Sequence, residues 1–391
     1  MGINTPLFVA GGTLGKNQLI PIEINPKDQK LEYKFFIKID DKTRLCQKLL
    51  NELIRADTPG DIYFWTATDE KKELTPSDNS FYGNTYLDGK VAIELEIPKH
   101  INRKIFITPE IKKDGDLVGN FLLNYFYHLE RNFDLQMPNP LNGPSLLDLD
   151  LEKITEQARQ KVPADMRGAY LLLGDLFFVT REGFDYQANN IRGKGDFVMT
   201  FINKNVLDAT LARSNLLGTS FSSFDYKVHK MNFNGYKKNN TSGLYRFGNL
   251  TYLNPLNLDT ELADFAKVFI SNRHMDGDFS DKILKFGKII YETAKTALSY
   301  GINKRPVLLC QTPIITLEYL RAAMTLGYHN TNAKTLGILA PDIDNIAQRI
   351  SNGVGSKITF LLEEEKGFGM LYDIDAHSNV EFAKKYNHFK E

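Results

Sequence analysis

The chain has 391 residues, with 48 basic residues against 48 acidic, 42% hydrophobic and 25% charged. These are the fractions of an ordinary soluble globular protein, and formal neutrality makes any basic surface a local feature. The length predicts two or three domains at roughly 100–200 residues each. Cys46 and Cys310 are the only cysteines, which excludes a disulfide framework or a cysteine zinc site and points to a reducing, cytoplasmic setting. The N-terminus lacks a basic stretch before an apolar core, so no secretory signal is expected. Pro6 occupies the position where a myristoylation pattern needs Ser or Thr. No apolar run reaches the ~18 residues that span a bilayer. The 26 Phe and 18 Tyr, with Trp65 alone of its kind, suit strands, because aromatic side chains fit a pleated, half-buried surface.

Residues 1–140 read as a β-rich domain with one helix. LEYKFFIKI alternates in the manner of a strand, and a helix is expected over Thr43–Arg55 with Leu45, Leu49, Leu50, Leu53 and Ile54 on one face. DIYFWTAT, KVAIELEI and RKIFITPEI follow as strands between turn residues. In KVAIELEI the apolar Val91, Ile93, Leu95 and Ile97 alternate with Glu94 and Glu96, which predicts one wet side. Leu117–Arg131 is expected to be a helix, and PNPLNGP at Pro138–Pro144 a linker.

Residues 141–257 read as a second β-rich part. Leu151–Val162 is the body of a helix, GAYLLLGDLFFVTREG and GDFVMTFIN are strand-like, and Asn205–Leu217 is a further helix. Phe221–Tyr252 then carries Lys227, Lys230, Lys237, Lys238 and Arg246 against the single acid Asp225, interleaved with Phe and Tyr. It is expected to form short strands joined by the turn-rich NGYKKNNTSG.

Residues 258–391 read as helical and then α/β. Helices are expected over Thr260–Asn272 and Lys282–Tyr300, then RPVLLCQTP as a strand and ITLEYLRAAMTLG as a helix. LGILAP is a strand, IDNIAQRISNG a helix ending at Gly353, and KITFLLEEE and GMLYDID strands. The fold class is therefore α+β: sandwich- or barrel-like sheets in the first two parts and a C-terminal helical and α/β part.

Few motifs carry chemistry. AGGTLGKN near the N-terminus approaches a phosphate-binding loop, but Ala10 stands for its first Gly, Asn17 for its hydroxyl, and Pro21 blocks the following helix. A Gly-rich turn between extended segments, or an N-terminal arm reaching a neighbouring subunit, is the expectation there. HMDGDFSD at His274–Asp281 is read as a helix cap and not a calcium loop, since Gly287 stands where a glutamate ligand belongs. Asp373 and Asp375 in LYDIDAH are candidate metal ligands, because Asp-x-Asp on a strand places both residues on one face. The pattern around VLLCQTPIITLEYLRAAMTLG loosely resembles a Toprim-type nucleotidyl-transfer domain over less than a quarter of the chain. Gln311 stands where that family has a glutamate, so the family is not assigned. Cys310 is expected as a buried small hydrophobe. No cofactor is expected.

These absences, the aromatics and the charge partition between basic Arg213–Tyr252 and acidic Asp342–Asp375 lead to one expectation. It is a non-enzymatic structural or assembly subunit of a large complex, such as a phage virion, a tail or baseplate, or a contractile secretion apparatus, with itself or other subunits as partners. The alternative is a nucleic-acid-binding or metal-dependent nucleic-acid-processing protein. In both, Lys227, Lys230, Tyr236, Lys237, Lys238, Tyr245 and Arg246 form the contact surface, with a subunit or with a polyanion.

Overall fold

The computed structural model describes residues 5–13, 22–24, 31–33, 49, 52–67, 75–77, 80–87, 90–96, 104–109, 117–135, 151–173, 176, 179–203, 229–233, 241–258, 291, 295, 298, 307, 310–311, 313–314 and 343–363. Its strands are β1 (Leu7–Thr13), β2 (Ile22–Ile24), β3 (Leu31–Tyr33), β4 (Ile62–Ala67), β5 (Thr75–Ser77), β6 (Ser80–Leu87), β7 (Lys90–Glu96), β8 (Lys104–Pro109), β9 (Ala169–Leu173), β10 (Phe197–Asn203), β11 (His229–Phe233), β12 (Thr241–Leu253) and β13 (Ile358–Glu363). Its helices are α1 (Leu117–Phe133), α2 (Leu151–Lys161), α3 (Arg181–Ile191) and α4 (Ile343–Val354).

One sheet joins strands from each of the three parts of the chain, in the order β13-β10-β12-β9-β1-β4-β8-β7-β6-β5, with β11 added to β12. The pairs β9–β1, β1–β4, β4–β8 and β10–β13 are parallel. β12 runs antiparallel to both β9 and β10. It follows that β1, β4, β8, β9, β10 and β13 point the same way, and their carboxyl ends share one edge of the sheet. β7, β6 and β5 continue it as an antiparallel meander. Helices are interspersed among strands throughout, so the fold is mixed α and β. The expected progression from sandwich- or barrel-like sheets to an α/β end is corrected: among the described residues the sheet is open, and parallel pairing begins with the first strand.

Alternation along the strands explains the burial of both faces. On one face, Phe8, Tyr63 and Phe106 sit in register on β1, β4 and β8 and stack as a rung, with centroids 4.9 and 4.8 Å apart. Helix α1 lies over it: Phe121 and Tyr125 meet Phe8 edge-on, and Ile154, Ala158 and Val162 of the α2 region extend the same cluster. Each large aromatic buried in this way contributes about 1.5–3 kcal/mol of transfer free energy. Farther along that face, Ile343, Ala347 and Val354 of the α4 segment pack on Phe201, Ile358 and their neighbours. On the opposite face Tyr170 of β9 meets Phe184 of α3, and its hydroxyl donates to the Ala188 carbonyl at 3.1 Å. The expected helix before β4 is present in residues 52–55, with Leu49, Leu53 and Ile54 buried as the pattern required. It lies beside α3, where Glu52 accepts from the Arg181 amide at 2.9 Å.

Two local expectations change. GAYLLLGDLFFVTREG was expected as one strand, yet β9 stops at Leu173 and REG opens α3, capped by Thr180, which accepts from the Gly183 amide at 3.2 Å. RPVLLCQTP was expected as a strand, but its described residues Val307, Cys310, Gln311 and Pro313 are helical. Short apolar runs do not distinguish the two periods. Cys310 is exposed, not buried.

Candidate functional site

In an open α/β sheet, ligands enter the crevice outside the carboxyl ends of adjacent parallel strands whose connections leave in opposite directions. β1 and β9 are such a pair. From β1 the chain goes to β4 and then β8 on one side; from β9 it goes through α3 to β10 on the other. The carboxyl edge at this pair is formed by Ala10–Thr13 of β1, Trp65–Ala67 of β4 and Leu172–Leu173 of β9.

The sequence shapes this edge. Ala10 pairs with Trp65 but Thr13 with Ala67, so β1 carries one more residue than β4 across this stretch and bulges at Gly11–Gly12. Glycine in a strand lets another backbone or a ligand approach closely, because no Cβ intervenes. AGGTLGKN was expected as a Gly-rich turn or an N-terminal arm; the strand persists through Gly11, Gly12 and Thr13, and residues 14–17 lie outside the described residues. The glycine pair at the end of the first apolar strand is the sequence signal for this bulge. Gly174 and Asp175 follow β9 in the sequence and lie outside the described residues.

Beneath this edge the sheet is rigidly packed. His128 of α1 is buried above the aromatic rung, with its Nδ1 3.0 Å from the Tyr63 hydroxyl. Burial pushes its pKa down to about 3, with the Arg131 charge adding to the effect, so the imidazole is neutral. The Arg131 guanidinium lies 4.0 Å from the centroid of Phe106. Tyr125 donates to the Arg167 carbonyl at 2.7 Å, and burial raises its phenol well above the ordinary value. These groups hold the layer together and do not reach the crevice as nucleophiles or bases.

The basic–aromatic segment does form a hairpin, with β11 antiparallel to β12 from the pair His229–Tyr245 to Phe233–Thr241. β12 pairs with β9 only from Leu250 to Leu253, so residues 241–249 run on past that contact toward the carboxyl edge. Of the expected contact residues, Lys230, Tyr245 and Arg246 lie on this hairpin. Lys227, Tyr236, Lys237 and Lys238, and the candidate metal ligands Asp373 and Asp375, lie outside the described residues. No cluster of His, Cys, Asp and Glu able to hold a metal occurs among the described residues, and no described helix is long and apolar enough to cross a membrane.

No family model matches the chain, and no curated protein matches it. Among solved structures it is similar to a hypothetical transferase from Thermus thermophilus, at 12% identity and a TM-score of 0.37, over 96% of this chain and 99% of that one. It is also similar to a 4-diphosphocytidyl-2C-methyl-D-erythritol synthase from Anaerococcus prevotii, at 10% identity and a TM-score of 0.31, over 98% of this chain and 96% of that one. Likeness at this level transfers no chemistry to this chain. The expectation of a non-enzymatic virion, baseplate or secretion-apparatus subunit is corrected: an open sheet with adjacent parallel strands can carry a site at its carboxyl edge that no local motif announces. It rested on missing local motifs, which say little when a site is assembled from the ends of separate strands.

Proposed function

We propose that the protein is an enzyme that binds a nucleotide-type phosphate ester at the carboxyl ends of β1 and β9 and transfers its phosphoryl or nucleotidyl group. The observation that carries this reading is the bulge at Gly11–Gly12, placed on the strand from which the sheet's connections diverge. Backbone N–H groups freed from strand pairing by a bulge, with no Cβ in the way, suit phosphate oxygens. In such a transfer an acceptor oxygen forms a bond to phosphorus while the bond to the leaving phosphate oxygen breaks. The proton of the acceptor passes to solvent or a base, and charge stays on oxygen throughout. A positioned backbone and a dry, rigid support supply most of what this chemistry asks of a protein. The retained neighbour of this reading is nucleic-acid processing, since a nucleic acid is one acceptor that brings its own phosphates.

The test is amide hydrogen exchange of the full chain with each nucleoside triphosphate and magnesium, alongside calorimetric titration. Protection is expected at Ala10–Thr13 and Leu172–Leu173, with none at the opposite edge around Phe197 and Ile358. If no nucleotide binds, or protection falls elsewhere, the reading fails.

A further inference from the structure

The register of the β11–β12 hairpin sorts its cations from its rings. Lys230 is the partner of Leu244, and Arg246 lies two residues along β12 from Leu244, so Lys230 and Arg246 share one face. His229, Met231 and Phe233 share the other face with Tyr245, the partner of His229. Arg246 is also the register partner of Ile202, and a Cβ on Gly248, two residues on, would meet both Thr200 and Ile202. This puts the cation face on the α3 side of the sheet. The ring face is on the α4 side, where α4 packs against β11.

That cation face has a defined neighbourhood. Beyond Leu250, β12 leaves β9 and passes the end of β10, where Asn203 pairs with Tyr245. At roughly 3.3 Å per residue, the strand carries Arg246 and Leu244 past the level at which β9 ends. The hairpin therefore stands at the carboxyl edge, with only β9 between its strand β12 and β1.

We propose that Lys230 and Arg246, juxtaposed on one face of this hairpin at the carboxyl edge, bind the phosphate of the second substrate, the acceptor of the transfer. This rests on the preceding reading for the position of the reaction, and it specifies the acceptor as phosphate-bearing. A single-stranded nucleic acid and a small phosphorylated molecule offer the same group. The separation of rings from cations argues for phosphate contact and against stacking of bases between them.

The experiment compares the full chain with Lys230→Ala, Arg246→Ala and the double variant, each first shown to melt like the parent. Probes are a fluorescent oligothymidylate, a hexose phosphate, and the nucleoside triphosphate found in the exchange experiment. Lys357→Ala, on the amino edge of the same sheet, is the control. The expected result is a loss of at least tenfold in affinity for one acceptor probe in the double variant, with nucleotide binding unchanged. If the oligonucleotide is that probe, the slope of log affinity against log salt falls by roughly 0.7 for each cation removed. A slope change confined to the oligonucleotide assigns a nucleic acid; a loss confined to the hexose phosphate assigns a small acceptor. Unchanged affinity for both probes, or no binding of either by the parent, overturns the proposal. Failure of nucleotide binding alone counts against the reaction site and leaves the hairpin result readable.

Discussion

The Tyr63 hydroxyl lies 3.0 Å from His128 Nδ1, and the Asn132 side-chain amide lies 3.3 Å from the same nitrogen. The Asn132 nitrogen also donates to the His128 carbonyl at 2.8 Å, which fixes the amide orientation. The Asn132 nitrogen is a donor, whereas the Tyr63 hydroxyl donates to Nδ1 in one tautomer of the neutral ring and accepts from it in the other. Nε2 is buried and has no hydrogen-bond partner among the described residues.

Tyr63→Phe removes the shorter of these bonds without changing the ring stack between Phe8 and Phe106. The expected cost is about 1–2 kcal/mol, because the buried ring nitrogen is left with the longer Asn132 contact alone. Chemical denaturation at neutral pH measures it. A variant as stable as the parent would show that the Tyr63–His128 bond contributes nothing net.

The same histidine makes the fold acid-sensitive. Its folded pKa is about 3 against an ordinary 6.5, so between these values the unfolded chain binds a proton that the folded chain refuses. Stability from this group is therefore complete above pH 6.5 and is lost as pH falls toward 3, with a slope of up to about 1.4 kcal/mol per pH unit. His128→Gln, which keeps an acceptor but does not titrate, should flatten the loss between pH 6 and 4 by roughly that slope. Parallel curves for parent and variant would mean that other groups set the acid limit.

Gly168 precedes β9 and lies under the ring of Tyr252. A Cβ there would collide with the Tyr252 hydroxyl oxygen and sit 2.5 Å from its Cζ. Tyr252 packs against Tyr170 at 5.7 Å, and the glycine's contacts are with the far end of its side chain. Gly168→Ala should therefore displace that ring and cost about 1–3 kcal/mol. Adding Tyr252→Ala should make the second Gly168→Ala step nearly free, a coupling that a double-mutant cycle in thermal unfolding reads directly.

Much of the secondary structure was legible because periodicity reports burial. IYFWTA, KVAIELE and KIFITP became β4, β7 and β8, and the apolar face of Leu117–Phe133 became the helix over the aromatic rung. The hairpin was legible too, from a turn-rich segment between alternating runs. What stayed hidden was pairing. AYLLL is equally apolar as a sandwich strand or as the parallel neighbour of β1, and nothing in its composition says which. A sheet buried on both faces produces the same runs. The candidate crevice exists only through that pairing, so Gly11 and Gly12 looked like a failed loop and not like a bulge beside β4 and β9. The basic–aromatic segment misled in a different way: rings and cations adjacent in sequence are separated onto opposite faces by the strand period.

The amino edge of the sheet offers a way to separate stability from binding. Asp196, just before β10, accepts from Asn257 Nδ2 and from the Lys357 amide, each at 2.8 Å, and its backbone N–H donates to the Lys357 carbonyl at 2.7 Å. Its carbonyl accepts from the Asn254 amide at 2.6 Å. One residue thus ties together the start of β10, the start of β13 and the turn after β12. Asp196→Ala removes both side-chain bonds and keeps both backbone ones. Because the bonds are exposed, the expected loss is modest, about 1 kcal/mol, with faster hydrogen exchange at Lys357. The strands carry this edge roughly 20 Å from the carboxyl ends. Nucleotide protection at Ala10–Thr13 and oligonucleotide affinity should accordingly be unchanged in Asp196→Ala at a temperature where it is folded. Loss of either with the fold intact would place the binding surface at the amino edge and overturn the carboxyl-edge assignment.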